Sequence, residues 1–116
     1  MESEREIDPG LLGMIRTWWK TDAPVERFRT GNRRSPAYDL ECALDHVASS
    51  VAALTSDYRD GKRRPYREPA AGCIAKLNAL EPSIPAGGKA AERQRYGDWI
   101  AQTRSLLAAI AAHSAE

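Results

Sequence analysis

PAYDLECALDHVASSVAALTSDYR, residues 36–59, carries the strongest structural signal in the chain. Leu40, Leu44, Val47, Val51, Leu54 and Tyr58 recur at alternating spacings of four and three. That period places all six on one side of an α-helix, an apolar stripe sustained over five turns. Ser35-Pro36 supplies a start signal, a capping side chain followed by a residue suited to the first helical turn. Asp60-Gly61 supplies the stop. Ala43, Ala48, Ala52 and Ala53 flank the stripe and are small enough to admit a second neighbour, so this helix is expected at the centre of the fold.

Working outward, the same grammar repeats. Asp8-Pro9-Gly10 opens a helix on which Leu11, Leu12, Ile15, Trp18 and Trp19 fall at helical spacing. Thr21-Asp22-Ala23-Pro24 breaks it. A short helix should follow, with Val25 and Phe28 inward and Gly31 as terminator. A third short helix is expected from Pro69 to Leu80, carrying Cys73, Ile74, Leu77 and Leu80. The last, residues 89–113, turns Tyr96, Trp99, Ile100, Thr103, Leu106, Leu107 and Ile110 to one side. Gly97 inside it weakens the helix by about 1 kcal/mol relative to alanine and reads as the mark of a close helix crossing. Residues 60–68 and 81–88 read as loops, and residues 1–8 as a flexible lead-in.

Composition agrees with this pattern. Nineteen of the 116 residues are alanine, the best helix former, and only three are valine and six isoleucine. Leu, Ile, Val and Phe total nineteen, under the ~20% level at which disorder becomes a candidate. Disorder also calls for a large net charge, whereas 17 basic residues nearly cancel 16 acidic ones. The expectation is an all-α, single-domain helical bundle spanning 1–116, with two long helices and two or three short ones. Heptad-like spacing serves a bundle core and a dimer seam alike, so both a monomer and a homodimer are compatible with it.

No run of 18 apolar residues is present, so no membrane contact is expected. Met1 to Asp8 is acidic and polar, without a basic-then-apolar leader pattern. Two cysteines in such a chain point to free thiols and a cytoplasmic setting.

Catalytic signals are weak. GxSxG, GxxxxGK[ST] and GxGxxG are all missing. Glu41 and Asp45 are spaced as a carboxylate pair, but one helix step makes no pocket, and the pair reads as a solvated face. Cys42 and His46, four apart on a helix, can converge on one ion, and Cys73 and His113 could complete a tetrahedral zinc set. The spacing matches no finger pattern, so neither a metal nor another cofactor is expected, and the chain is not read as an enzyme.

The informative feature is a charge pattern hidden by the net value of +1. Residues 1–26 sum to −3, 27–38 to +4, 39–57 to −4 and 59–67 to +4. The candidate partner-binding residues are therefore Arg27, Arg29, Arg33 and Arg34 in the first basic segment, and Lys62, Arg63, Arg64, Tyr66 and Arg67 in the second. Arginine pairs bidentately with carboxylates on a protein surface and with phosphates alike, and a tyrosine among them can stack on a base. Trp18 and Trp19 complete the set, because an indole left outside the core is a common anchor for a protein partner. The first expectation is a non-catalytic binding protein acting on a macromolecular partner, most directly a protein, including a component of a nucleic-acid-handling complex. The alternative is direct nucleic-acid binding through the basic loops. In size and composition the chain resembles the small helical inhibitors that phages and mobile elements encode against host systems, anti-CRISPR proteins among them. That resemblance implies occlusion of a partner's surface and assigns no site residue.

Overall fold

A computed structural model of the chain describes residues 9–21, 38–84 and 90–113. Four α-helices run over them: α1, Pro9–Thr21; α2, Tyr38–Arg59; α3, Arg67–Leu80; and α4, Ala90–Ala112. A short 3-10 turn, Glu81–Ser83, follows α3. No strand occurs among the described residues. The fold is an all-α bundle, with 22 and 23 residues in the two long helices. The short helix expected around Val25 and Phe28 lies outside the described residues, as do residues 1–8.

The apolar stripes form the core as expected. All six stripe residues of α2 are buried, as are Tyr96, Trp99, Ile100, Thr103, Leu106, Leu107 and Ile110 on α4. From α1 come Leu11, Ile15 and Trp18, and from α3 Ala70, Cys73 and Leu77. No helix takes the central position expected for α2: α3 and α1 each pack against both long helices, so the four described helices meet in a ring. Ala70, Cys73 and Leu77 are the buried residues of α3, a helix of 14 residues.

The end of α2 follows from Gly61, whose φ of 76° is strained for any residue with a Cβ. Its N–H donates to the Tyr58 carbonyl at 3.1 Å, and that of Lys62 to the Asp57 carbonyl at 3.0 Å. This pair of bonds is a Schellman ending, which satisfies two of the free carbonyls. The following loop is shorter than expected. It closes at Tyr66, and α3 starts two residues before Pro69. Proline is accepted in that first turn because its missing N–H would have had no helical partner there. The expected linker from Glu81 likewise begins as the 3-10 turn, closed by the Ile84 N–H on the Glu81 carbonyl at 3.2 Å. Residues 85–89 lie outside the described set.

Polar contacts fix how the helices meet. Arg104 on α4 donates to Asn78 on α3 and to Glu81, each at 2.8 Å. Arg67, at the other end of α3, donates to the Ala111 carbonyl near the end of α4 at 3.4 Å. These two ties make α3 antiparallel to α4. Gly97 marks no crossing: a Cβ there would meet nothing within 4 Å. The close approach expected from that glycine does not occur.

Candidate partner-binding surface

The tryptophan pair is primarily architectural. Trp18 is buried, and its indole N–H donates to Thr103 Oγ1 on α4 at 2.9 Å. Trp19 donates to Thr55 Oγ1 on α2 at 3.0 Å. The two rings meet edge-on, 5.9 Å apart at 90°, and so wedge α1 against both long helices. Thr55 and Thr103 are themselves fully buried, where an indole N–H without an acceptor would be costly. Trp18 therefore has no surface to offer a partner, which corrects its place among the candidates. Trp19 keeps 38% of its area exposed and remains available.

Tyr66 is corrected in the same way. It is completely buried, stands edge-on to Tyr58 at 5.3 Å and donates its hydroxyl to the Lys62 carbonyl. The ring plugs the loop between α2 and α3, so it has no face on which a base could stack. Arg64 lies with its guanidinium carbon 5.8 Å from the ring centre, close enough for a cation–π contact.

The basic residues around this plug divide into three groups. Arg64 and Lys62 both engage Asp57, at 2.6 and 3.3 Å. The Arg64 hydrogen bond first, and Lys62 after it, hold the Asp57 carboxyl below its ordinary range against the opposing effect of burial. Arg59 is exposed and lies 3.4 Å from Asp60. Arg67 belongs to the first turn of α3 rather than to the loop, and is exposed although tied to Ala111. Arg63 is exposed and makes no ion pair or hydrogen bond among the described residues. The turn thus keeps uncompensated positive charge at its tip. Arg27, Arg29, Arg33 and Arg34 lie outside the described residues.

Trp19 is joined to this turn through α2. Its hydrogen-bond partner Thr55 sits one helical step before Arg59, so Trp19, Thr55 and Arg59 follow one side of the helix. Arg16 and Lys20 are exposed on α1 beside the indole. A half-open aromatic edge bordered by cations is the composition expected of an interface anchor. Arg59 was missed as a site residue because helix periodicity marks it only as outward-facing.

The other candidate chemistries disperse. Cys42 is half-buried on α2, Cys73 buried on α3, and His46 and His113 are exposed. Among the described residues no three His, Cys, Asp or Glu side chains come together, so the zinc quartet does not form. Glu41 is not on a solvated face. It is 1% exposed and accepts a hydrogen bond from the Tyr96 hydroxyl at 2.7 Å. It follows Leu40 at the edge of the stripe, where α2 faces Tyr96. A carboxylate at such an edge is pulled inside when the neighbouring helix offers a donor.

Two grooves open on the described surface. One, of about 440 Å³ between α1 and α4, is lined by Gly10, Gly13, Met14, Thr17, the buried Trp18, Gln102 and Leu106, none of them charged. The other, of about 420 Å³ between α2 and α3, has Ser50, Ala53, Gly72 and Cys73 along it and Arg64 and Lys76 at its walls. No helix among the described residues is long and apolar enough to cross a membrane. The chain matches no protein-family model, no curated protein and no solved structure.

Proposed function

We propose that this chain is a non-catalytic binding protein that covers an acidic surface of a macromolecular partner, most directly a protein. The observation that carries the reading is the basic turn between α2 and α3, whose charge is only partly neutralised, together with the half-exposed Trp19, which is hydrogen-bonded to α2 one helical turn before Arg59. Arg59, Arg63 and Arg67 would meet carboxylates, while Trp19 supplies apolar contact next to them. Binding there blocks whatever else uses the same acidic surface, so the effect on the partner is steric and electrostatic inhibition. The proposal includes a cytoplasmic setting, supported by the two free thiols, Cys42 and Cys73.

The burial of Tyr66 favours a protein over a nucleic acid, because it removes the aromatic placed among the arginines of this turn for stacking. The engagement of Lys62 and Arg64 with Asp57 weighs the same way, leaving fewer cations for a phosphate track.

The test uses two labelled polyanions, polyglutamate and a duplex DNA of about two helical turns. Fluorescence anisotropy should show polyglutamate bound by the wild type and lost in Arg63→Glu/Arg67→Glu. Arg67 also donates to the Ala111 carbonyl, so the variant's melting temperature is read beside its binding. Arg63→Glu alone, at a residue with no ion pair or hydrogen bond among the described residues, should weaken binding with the melting temperature unchanged. Duplex DNA held orders of magnitude more tightly than polyglutamate, with affinity falling steeply as salt rises, would overturn the reading in favour of nucleic-acid binding.

A further inference from the structure

We infer that the groove between α2 and α3 is the seat for an acidic helix of the partner, a deepening that rests on the function proposed above. Its lining carries two cationic side chains, Arg64 and Lys76, and no carboxylate. Lys76 is exposed and makes no ion pair or hydrogen bond among the described residues, and Arg64 keeps further guanidinium donors beyond those used on Asp57 and the Pro65 carbonyl. Lys76 is thus the uncompensated cation of the seat, and Arg64, whose charge is shared with Asp57, adds its remaining donors, which together fit a carboxylate-bearing occupant.

The floor selects its shape. The buried Leu54 and Cys73 lie at its base, and the exposed Ser50 and Ala53 on α2 and Gly72 on α3, all small, line it above them. Gly72 stands inside a helix, where glycine weakens the fold relative to alanine, and no neighbour among the described residues demands it. A Cβ there would find no atom within 4 Å. Its smallness keeps the groove open, so that a second backbone can come close to α3. Two helices side by side leave a furrow that a third helix fills by packing its ridge into it. Carboxylates one turn apart on that helix would reach the cations on the walls, and small or apolar residues between them would rest on Ser50, Ala53 and Gly72.

The experiment is an NMR titration of the isotopically labelled full chain with a synthetic helix of alanine, leucine and glutamate. About 16 residues suffice for the peptide to hold its helix, with a glutamate at every fourth position. The amides of Ser50, Ala53, Gly72 and Lys76 should shift saturably. Gly72→Leu, an exposed helix substitution, should leave the melting temperature equal or higher while weakening the peptide at least tenfold. Lys76→Glu should weaken it similarly and gain affinity for the peptide with lysine in place of glutamate.

Unchanged affinity in both variants overturns the seat. Shifts confined to Arg59, Arg63, Arg67 and Trp19 also overturn it, while leaving the wider basic surface as the binding site. Groove shifts that appear on concentrating the chain alone would assign the groove to a second copy and overturn the partner-helix proposal. If neither this peptide nor polyglutamate binds at all, the function proposed above fails with it.

Discussion

Thr103 shows what a single hydroxyl does in this bundle. It is completely buried on α4 and accepts the Trp18 indole N–H at 2.9 Å. Thr103→Val keeps the shape and strands that N–H in the core. The expected cost is about 1–3 kcal/mol, measured by denaturant unfolding. A variant as stable as the wild type would show that the bond is not what holds α1 in place. Asp57 gives a second test, with pH as the variable. Its folded-state pKa is lowered by Arg64 and Lys62, so the stabilisation is complete above the unfolded carboxylate value of ~3.9 and lost as pH falls through the lower folded value. Asp57→Asn should therefore be less stable than the wild type by about 0.2–1 kcal/mol at neutral pH. The gap should narrow progressively in chemical denaturation as pH falls below the unfolded value of ~3.9 toward the lower folded one. A gap that widens in acid would contradict the assignment. Neither tie was legible beforehand: Trp18 and Trp19 read as equivalent members of one apolar face, and only the positions of Thr55 and Thr103 on neighbouring helices decide which indole is left half outside.

At the scale of elements, periodicity revealed most of what there was to find. The stripes of α2 and α4 are buried residue for residue, because burial of one side is what a sustained 3.6-residue pattern encodes. Boundaries and neighbours were harder. Pro69 looked like a helix start and turned out to be the third residue of α3, since proline is equally welcome anywhere in a turn without N–H partners. Which helices would be neighbours was hidden, because the stripe of α2 says that one side is buried and not that α1 and α3 are what bury it. Gly97 misled in the opposite direction, promising a crossing where there is open space. It follows that Gly97→Ala should stabilise the chain by about 0.5–1 kcal/mol, read as a higher denaturant midpoint with an unchanged slope. A lower midpoint would mean that the glycine serves a contact within the fold after all.

Considered whole, the molecule separates its two kinds of work. The core is closed by aromatic side chains that had the appearance of binding residues, Trp18 and Tyr66, while the surface keeps charge and one indole edge. Sequence blocks of opposite sign identified the basic turn, but not that Asp57 would occupy two of its cations, because that pairing depends on how the chain folds back after Gly61. The central claim is that Trp19, Arg59, Arg63 and Arg67 form one surface that holds a protein partner. It is tested most directly by affinity capture from a nuclease-treated lysate of the source cells. Wild type, Trp19→Ala and Arg63→Glu/Arg67→Glu are compared by quantitative mass spectrometry. The account predicts a protein recovered by the wild type, reduced by at least about tenfold with each variant, a loss of roughly 1.4 kcal/mol or more. Equal recovery of the same protein by all three, or a capture that disappears with nuclease treatment alone, would contradict it.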